Sequence, residues 1–403
     1  MKDKFIALVD GNNFFAGCEV FRNPNLKGKP ICVLSNNDGC VIARSNEAKK
    51  LGISMGMPYF MAKKQFPEAV YLSADFSLYR NLSERMMTYL ENFSDKIDVY
   101  SIDEAFLDVT GVDKFFNTDY KTLAALMKRE IEENVGVNVS VGIANSKILA
   151  KIATHKAKSL SGSYYIDKSA IRSELQNLPV EEIWNVGRNT ARSLKAFGIF
   201  TAEQILDVED NFFKSRFGKR GLELKYELSG MSVIPLTGIV EKPKSIQRTR
   251  AFPEFSSQKN YILSELDLHL HSVCKKLREN SLECQFVGVM LRTKDFRVIY
   301  KCVKLDYPTN SELVVKPVAT AVFNEIFQEG IIYRSAGIYA SELEESIKSQ
   351  MNLFNVFDYQ KEKNISFVID KMETKYGKGT IALGATGIKS IMEKHKRKIG
   401  KNL

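Results

Sequence analysis

The chain has 403 residues, a formal net charge of +10 and a hydrophobic fraction of 44%. Its length exceeds one ordinary core and implies about two to four domains, while no stretch approaches the ~18 consecutive apolar residues of a membrane span. The basic excess, concentrated in Lys242–Lys316 and Met351–Leu403, argues for a polyanionic partner.

Met1-Lys2-Asp3-Lys4 runs straight into a strand-like segment without a cleavage signal, so the expected compartment is the cytoplasm. Phe5–Val9, Pro30–Leu34, Val99–Ile102, Phe106–Val109 and Val137–Val141 are rich in β-branched and aromatic residues and predict strands. They alternate with helical periodicity at Ser45–Leu51, Leu78–Phe93, Tyr120–Glu133 and Ser146–Ala157, an α/β pattern. Around Asn177–Pro179 the pattern becomes short and wholly helical. Val240-Glu241-Lys242-Pro243-Lys244 is a charged linker whose proline stops regular structure. Beyond it, Ser245–Phe252, Phe286–Thr293 and Arg297–Leu305 alternate as strands, and Tyr261–Glu279 and Val314–Gln328 read as helices, an α+β unit. Six cysteines without CxxC spacing and four histidines without a zinc pattern predict reduced core thiols.

Two acidic clusters stand out. Asp10 closes the apolar run Phe5–Val9, and the pair Asp103-Glu104 follows Tyr100-Ser101-Ile102. Strand ends on neighbouring strands bring three such acids to one sheet rim. Carboxylate oxygens suit magnesium, leaving coordination positions for water and substrate phosphates; two ions about 3.5–4 Å apart suit an in-line displacement at phosphorus. In the helical segment, Ile183-Trp184-Asn185-Val186-Gly187-Arg188 is a tight turn ending in glycine before a helix start. Backbone N–H groups at Val186, Gly187 and Arg188 can there grip a DNA phosphate without reading a base. Asn185 stands where the usual hairpin has another glycine, and asparagine is among the non-glycine residues that best tolerate positive φ.

Taken in order, Asp10 with Phe14-Phe15, the run Leu34-Ser35-Asn36-Asn37-Asp38-Gly39-Cys40-Val41-Ile42-Ala43-Arg44, the stretch Ser101-Ile102-Asp103-Glu104 and the helical hairpin resemble the family Y, translesion DNA polymerases. The run from Ser35 to Arg44 most resembles the UmuC subunit of bacterial DNA polymerase V and its relatives. The resemblance spans essentially the whole chain and implies a multidomain α/β and α+β right hand. Its palm is residues 1–20 and 75–170, its small fingers 21–74, its helical thumb with the hairpin 171–240, its little finger 241–345 and its C-terminal tail 346–403.

The same resemblance implies that Asp10, Asp103, Glu104 and the carbonyl of Gly11 hold two Mg2+ ions. Asp103 and Glu104 are then catalytic, as the primer 3′-hydroxyl attacks the α-phosphate and pyrophosphate leaves. Phe15 falls at the steric gate that excludes a 2′-hydroxyl. The amides of Phe14 and Phe15, with Ala43, Asn46, Lys49 and Lys158, fall at the nucleotide site. Many relatives carry Tyr and Arg where Asn46 and Lys49 stand; lysine is a point charge without a bidentate fork, so weaker or less oriented triphosphate binding is expected. Val33, Cys40, Ile42 and Gly56 fall at the roof over the nascent base pair. None is a large aromatic, which implies low fidelity and tolerance of lesions.

Gln350-Met351-Asn352-Leu353-Phe354 resembles the bacterial sliding-clamp pentapeptide, with Gln350 at a pocket rim and Leu353 and Phe354 buried in it. Phe367–Ile388 falls where the UmuC group binds a processed UmuD partner, a basic tail on DNA being the alternative. The expected function is error-prone translesion synthesis in the SOS response to DNA damage. Expected partners are primer–template DNA, a deoxynucleoside triphosphate, the sliding clamp, a processed UmuD-like dimer and a recombinase filament, with no membrane. A palm-type nucleotidyl cyclase and a DNA-bound scaffold subunit inactive without partners stay open.

Overall fold

A computed structural model describes residues 4–35, 37–236, 238, 242–346, 356–377 and 380, with only the backbone of 356–363. The peptide Gln350, Leu353 and Phe354, and the tail beyond position 380, lie outside the described residues. The chain divides into two units at Val240.

The first unit contains β1 (Ile6–Gly11), β2 (Ile31–Leu34), β3 (Val41–Arg44), β4 (Val70–Ser73), β5 (Ile97–Val99), β6 (Glu104–Asp108), β7 (Val139–Ala144) and β8 (Ser163–Tyr165). Five of them form a sheet in the order β5-β6-β1-β7-β8, with β1 in the middle and antiparallel to both neighbours. That position explains the unbroken apolar run Ile6-Ala7-Leu8-Val9, because both faces of a central strand are covered. Successive side chains alternate between faces: Ala7 and Val9 join Phe14, Tyr79, Leu82, Met86, Leu123 and Met127 on one side. Ile6 and Leu8 join Ile148, Leu149, Ile152 and the helical segment's Ile183, Val186, Leu194 and Phe213 on the other.

The helix Lys147–Ser159 lies close on β7. A Cβ at Gly142 would fall 2.2 Å from the Thr154 amide nitrogen and 2.4 Å from its Oγ1, so the contact exists only because position 142 lacks a side chain. A smaller sheet, β3-β2-β4, packs its own cluster of Cys32, Leu34, Val41, Ala48, Ile53 and Ala62. The second unit is one antiparallel sheet, β11-β10-β12-β9, made of β9 (Ser245–Ser256), β10 (Leu282–Thr293), β11 (Val298–Thr309) and β12 (Tyr333–Glu345). The helices Lys259–Glu279 and Glu312–Ile326 bury its core.

One local expectation fails. The strand predicted over Val99–Ile102 ends at Val99, and Tyr100–Asp103 is a tight bend. There the Tyr100 and Ser101 amides both donate to the Glu104 carbonyl, and Ser101 Oγ accepts from the Asp103 amide. Glu104 therefore opens β6 rather than closing a strand. Beyond the expected end of the second unit, Val356–Tyr376 is helical. All six cysteines are free thiols; Cys18, Cys32, Cys274 and Cys284 are buried as expected of core residues, whereas Cys40 and Cys302 are half-buried.

Candidate active site

Pairing of β1 with β6 sets Asp10 opposite Glu104, and directly opposed residues on one face are in reach of each other. The two carboxyls are near enough to perturb each other's titration. Burial and then Glu104 push Asp10 up to about 6, against the opposing Lys158 ammonium. Burial also acts upward on Glu104, but the bonds from Asp10 and Lys151 outweigh it, and its pKa is lowered. Two carboxyls opposed on one sheet face repel each other when both are ionised, which favours a cation between them.

Asp103 lies beside this pair. The Gly11 amide donates to the Asp103 carbonyl (2.8 Å). A Cβ on Gly11 would sit 3.3 Å from the Asp103 Cβ and 2.8 Å from the Phe14 ring, so glycine is what lets the bend lie so near β1. The Asp103 carboxylate itself accepts from Ser101 Oγ (2.6 Å). Asp10 and Glu104 thus meet, whereas Asp103 is turned to Ser101; among the described residues no three His, Cys, Asp or Glu side chains gather as one ligand set. The donors at hand are hard carboxylate oxygens, the chemistry suited to a magnesium-like ion.

Cations come from one helix face. Lys147, Lys151 and Lys158 recur at four- and seven-residue spacings along Lys147–Ser159 and share a stripe. Each meets an acid on a different strand. Lys147 pairs with Asp98 of β5, Lys151 with Glu104 of β6 (2.8 Å) and Lys158 with Asp10 of β1 (2.7 Å). Sequence reasoning singled out only Lys158; the shared spacing was the signal for the other two.

Phe15 is half-buried on the helix Phe14–Arg22. Its ring stacks on Tyr79 (centroids 4.5 Å, 13°) and meets Phe76 edge-on (5.8 Å). Tyr79 is fixed in turn, donating its hydroxyl to the fully buried Glu19 (2.7 Å), which pairs with Arg22. Phe14 is core. Asn13, left-handed at φ 49°, gives the helix no side-chain cap; its amide donates instead to Asn46 Oδ1 (2.8 Å). Asn46 is thereby drawn to the helix start beside the Phe14 and Phe15 amides. Ala43 is buried in β3, and Lys49 is exposed on the short helix Asn46–Lys50. Burial, then Arg44 and Lys158, lower the Lys49 pKa, with Asp10 opposing. Arg44, which sequence reasoning passed over as a site residue, therefore belongs to the same field. Val33 does not reach the expected roof: β2 is the middle strand of its sheet and Val33 is wholly buried. Cys40 and Ile42 are half-buried and Gly56 is exposed.

At the hairpin, Asn185 takes φ 69° inside a turn closed by the Val186 amide on the Ile183 carbonyl (3.0 Å). Val186 anchors in the core, Gly187 caps the helix Arg188–Ala196, and no atom lies within 4 Å of where a Gly187 Cβ would stand. The backbone there is open to an approaching anion.

The profile of the impB/mucB/samB family matches residues 9–155, and that of its C-terminal domain matches residues 243–353. Protein SamB of Salmonella typhimurium is 32% identical over 397 residues, covering 95% of this chain and 93% of its own. Protein UmuC of Salmonella typhimurium strain LT2 is 32% identical with the same coverage, and DNA polymerase IV 1 of Bacillus subtilis strain 168 is 29% identical over 96% and 94%. Among solved structures, the Y-family DNA polymerase chimera Dbh-Dpo4(243-245)-Dbh matches with a TM-score of 0.70 at 28% identity, over 84% of this chain and 98% of that one. An insertion ternary complex of Dbh DNA polymerase matches with a TM-score of 0.55 at 29% identity and the same coverage.

Proposed function

We propose a division of labour within the site from one premise: the chain belongs to the impB/mucB/samB family and is a Y-family, DNA-directed DNA polymerase for translesion synthesis in the DNA damage response. Its substrates are DNA and a deoxynucleoside triphosphate, and it uses a divalent metal. The observation that carries the site assignment is the Asp10–Glu104 pair, two carboxylates set opposite each other across β1 and β6, Asp10 on Lys158 and Glu104 on Lys151. In our reading Asp10, Asp103, Glu104 and the Gly11 carbonyl hold two Mg2+ ions. Bound there, the ions supply a lowered pKa at the primer 3′-hydroxyl and neutralise charge on the triphosphate.

The chain's own residues do the rest. Lys158, whose place at Asp10 a held cation would take, is left to face the triphosphate together with Lys49 and Asn46. The Phe14 and Phe15 amides, in the first helical turn and without partners in that helix, donate to phosphate oxygens. Phe15, backed by Tyr79, presents a fixed ring to the sugar and collides with a 2′-hydroxyl. Val186, Gly187 and Arg188 hold the duplex through a backbone phosphate. In this reading the palm, fingers, thumb, little finger and tail take the boundaries expected from the sequence. Gln350, Leu353 and Phe354 dock on the sliding clamp, which raises the local concentration of the polymerase at a primer end; a processed UmuD-like dimer and a recombinase filament are further partners.

Primer extension on a template with an abasic site tests this reading. The purified chain is expected to extend past the lesion with Mg2+ and not with chelator, and clamp stimulation disappears in Leu353→Ala/Phe354→Ala. Extension absent under every combination of clamp and partner would leave only a scaffold, and a cyclic nucleotide product would make the palm a cyclase.

A further inference from the structure

Trp184 is the chain's single tryptophan. It sits in the turn just before the hairpin helix, half-buried, with its indole N–H donating to the Tyr100 hydroxyl (3.1 Å). The two rings meet edge to face (5.4 Å, 87°), and Trp184 also leans on Phe106 of β6 (5.5 Å). Tyr100 begins the bend that carries Asp103. Over both rings lies one ammonium: Lys151 Nζ is 4.8 Å from the Tyr100 centroid and 5.6 Å from that of Trp184. The same nitrogen is 2.8 Å from Glu104 Oε1.

A lysine ammonium on a four-carbon stem ordinarily samples many positions. Here two aromatic faces attract it from one side and a carboxylate from the other. Tyr100 cannot turn away without breaking the indole hydrogen bond. We propose that Trp184 and Tyr100 form an aromatic seat for the Lys151 ammonium, which makes Lys151 a positioning residue for Glu104 and couples the hairpin turn to the acid pair. This rests on the reading that Glu104 serves the cation site. Coupling between two binding events is reciprocal: a duplex that shifts the hairpin turn alters cation affinity, and a cation that draws Glu104 off Lys151 alters the surroundings of Trp184 by the same linkage.

The lone indole reports on its own seat. Magnesium chloride is titrated into the full chain without DNA while tryptophan emission is recorded. A saturable change in emission is expected, lost in Glu104→Gln and in Lys151→Met, with circular dichroism confirming that both variants fold. In primer extension, Trp184→Leu and Tyr100→Leu should each lower kcat about tenfold, the worth of one such contact, with KM for the nucleotide nearly unchanged; Trp184→Phe, which keeps a ring, should recover most of the rate. Emission indifferent to magnesium, or a response that survives Lys151→Met, overturns the seat even where Glu104→Gln abolishes synthesis. Synthesis that survives Glu104→Gln overturns the cation-site reading and this coupling with it.

Discussion

Two networks of bases and acids in this protein are made from similar residues and differ in one respect. In the second unit, Arg278 holds Asp370 through two bonds (2.6 and 2.8 Å) and also donates to the Asn310 carbonyl. Lys275 meets Glu373 (2.7 Å), and His271 bridges Glu312 and Glu373 (2.8 and 3.3 Å). Each of these acids faces a base, and together they fasten the helix Val356–Tyr376 to its unit. At the sheet rim of the first unit, Asp10 and Glu104 face each other as well as their lysines. Matched pairs are sufficient for architecture. Two acids opposed on neighbouring strands are an unfavourable arrangement for stability alone, and a bound cation would relieve it.

The largest effect should come from the unmatched side. Asp103→Ala is expected to reduce primer extension by on the order of a thousandfold, the scale of one lost electrostatic stabiliser in a transition state, while gel-shift affinity for DNA stays within a few fold. Synthesis within tenfold of the parent would erase the contrast. Phe15→Ala should cost about a hundredfold in discrimination against ribonucleotides, measured as the ratio of kcat/KM for paired sugars; an unchanged ratio would assign Phe15 to packing on Tyr79 alone. The matched network should answer in stability. Asp370→Ala takes the carboxylate from the largely buried Arg278 guanidinium and should lower stability by about 3 kcal/mol, seen in thermal melts, with incorporation on short primers unaffected.

The smallest effect is a pH dependence. Hydrogen bonding to Glu312 outweighs burial and, with Glu373, raises the His271 pKa above its ordinary 6.5. The charged contact is therefore complete below that ordinary value and is lost as pH rises through the raised one. Amide exchange in Val356–Tyr376 should quicken over that rise, and His271→Gln should flatten the response. A profile that survives the substitution would place the titration elsewhere.

Fold class and family were legible because several short patterns occur in one order, and because an apolar run such as Ile6–Val9 suits a covered central strand. Asn185 was readable for the same reason: few residues accept its backbone angle. The bend at Tyr100–Asp103 was not, since Val99, Tyr100 and Ile102 have high strand propensity and it is the bonds of the Tyr100 and Ser101 amides and the Ser101 hydroxyl that reverse it. Long-range partners left no local trace. Nothing near Asn13 announces Asn46, and Trp184 reads as an ordinary helical-segment aromatic until Tyr100 and Lys151 arrive from other elements. Helix Val356–Tyr376 was missed because its support comes from Lys275 and Arg278, distant in sequence.

Gly142 sets how closely the helix Lys147–Ser159 approaches β7. The missing methyl lets one helix settle onto the sheet until Thr154 touches the strand, and three ammonium groups ride on that helix. Ala at 142 would lift the whole rail, so Asp98, Glu104 and Asp10 would lose their counter-ions together rather than singly. The charge pattern at the rim is thus governed by a position that carries no charge.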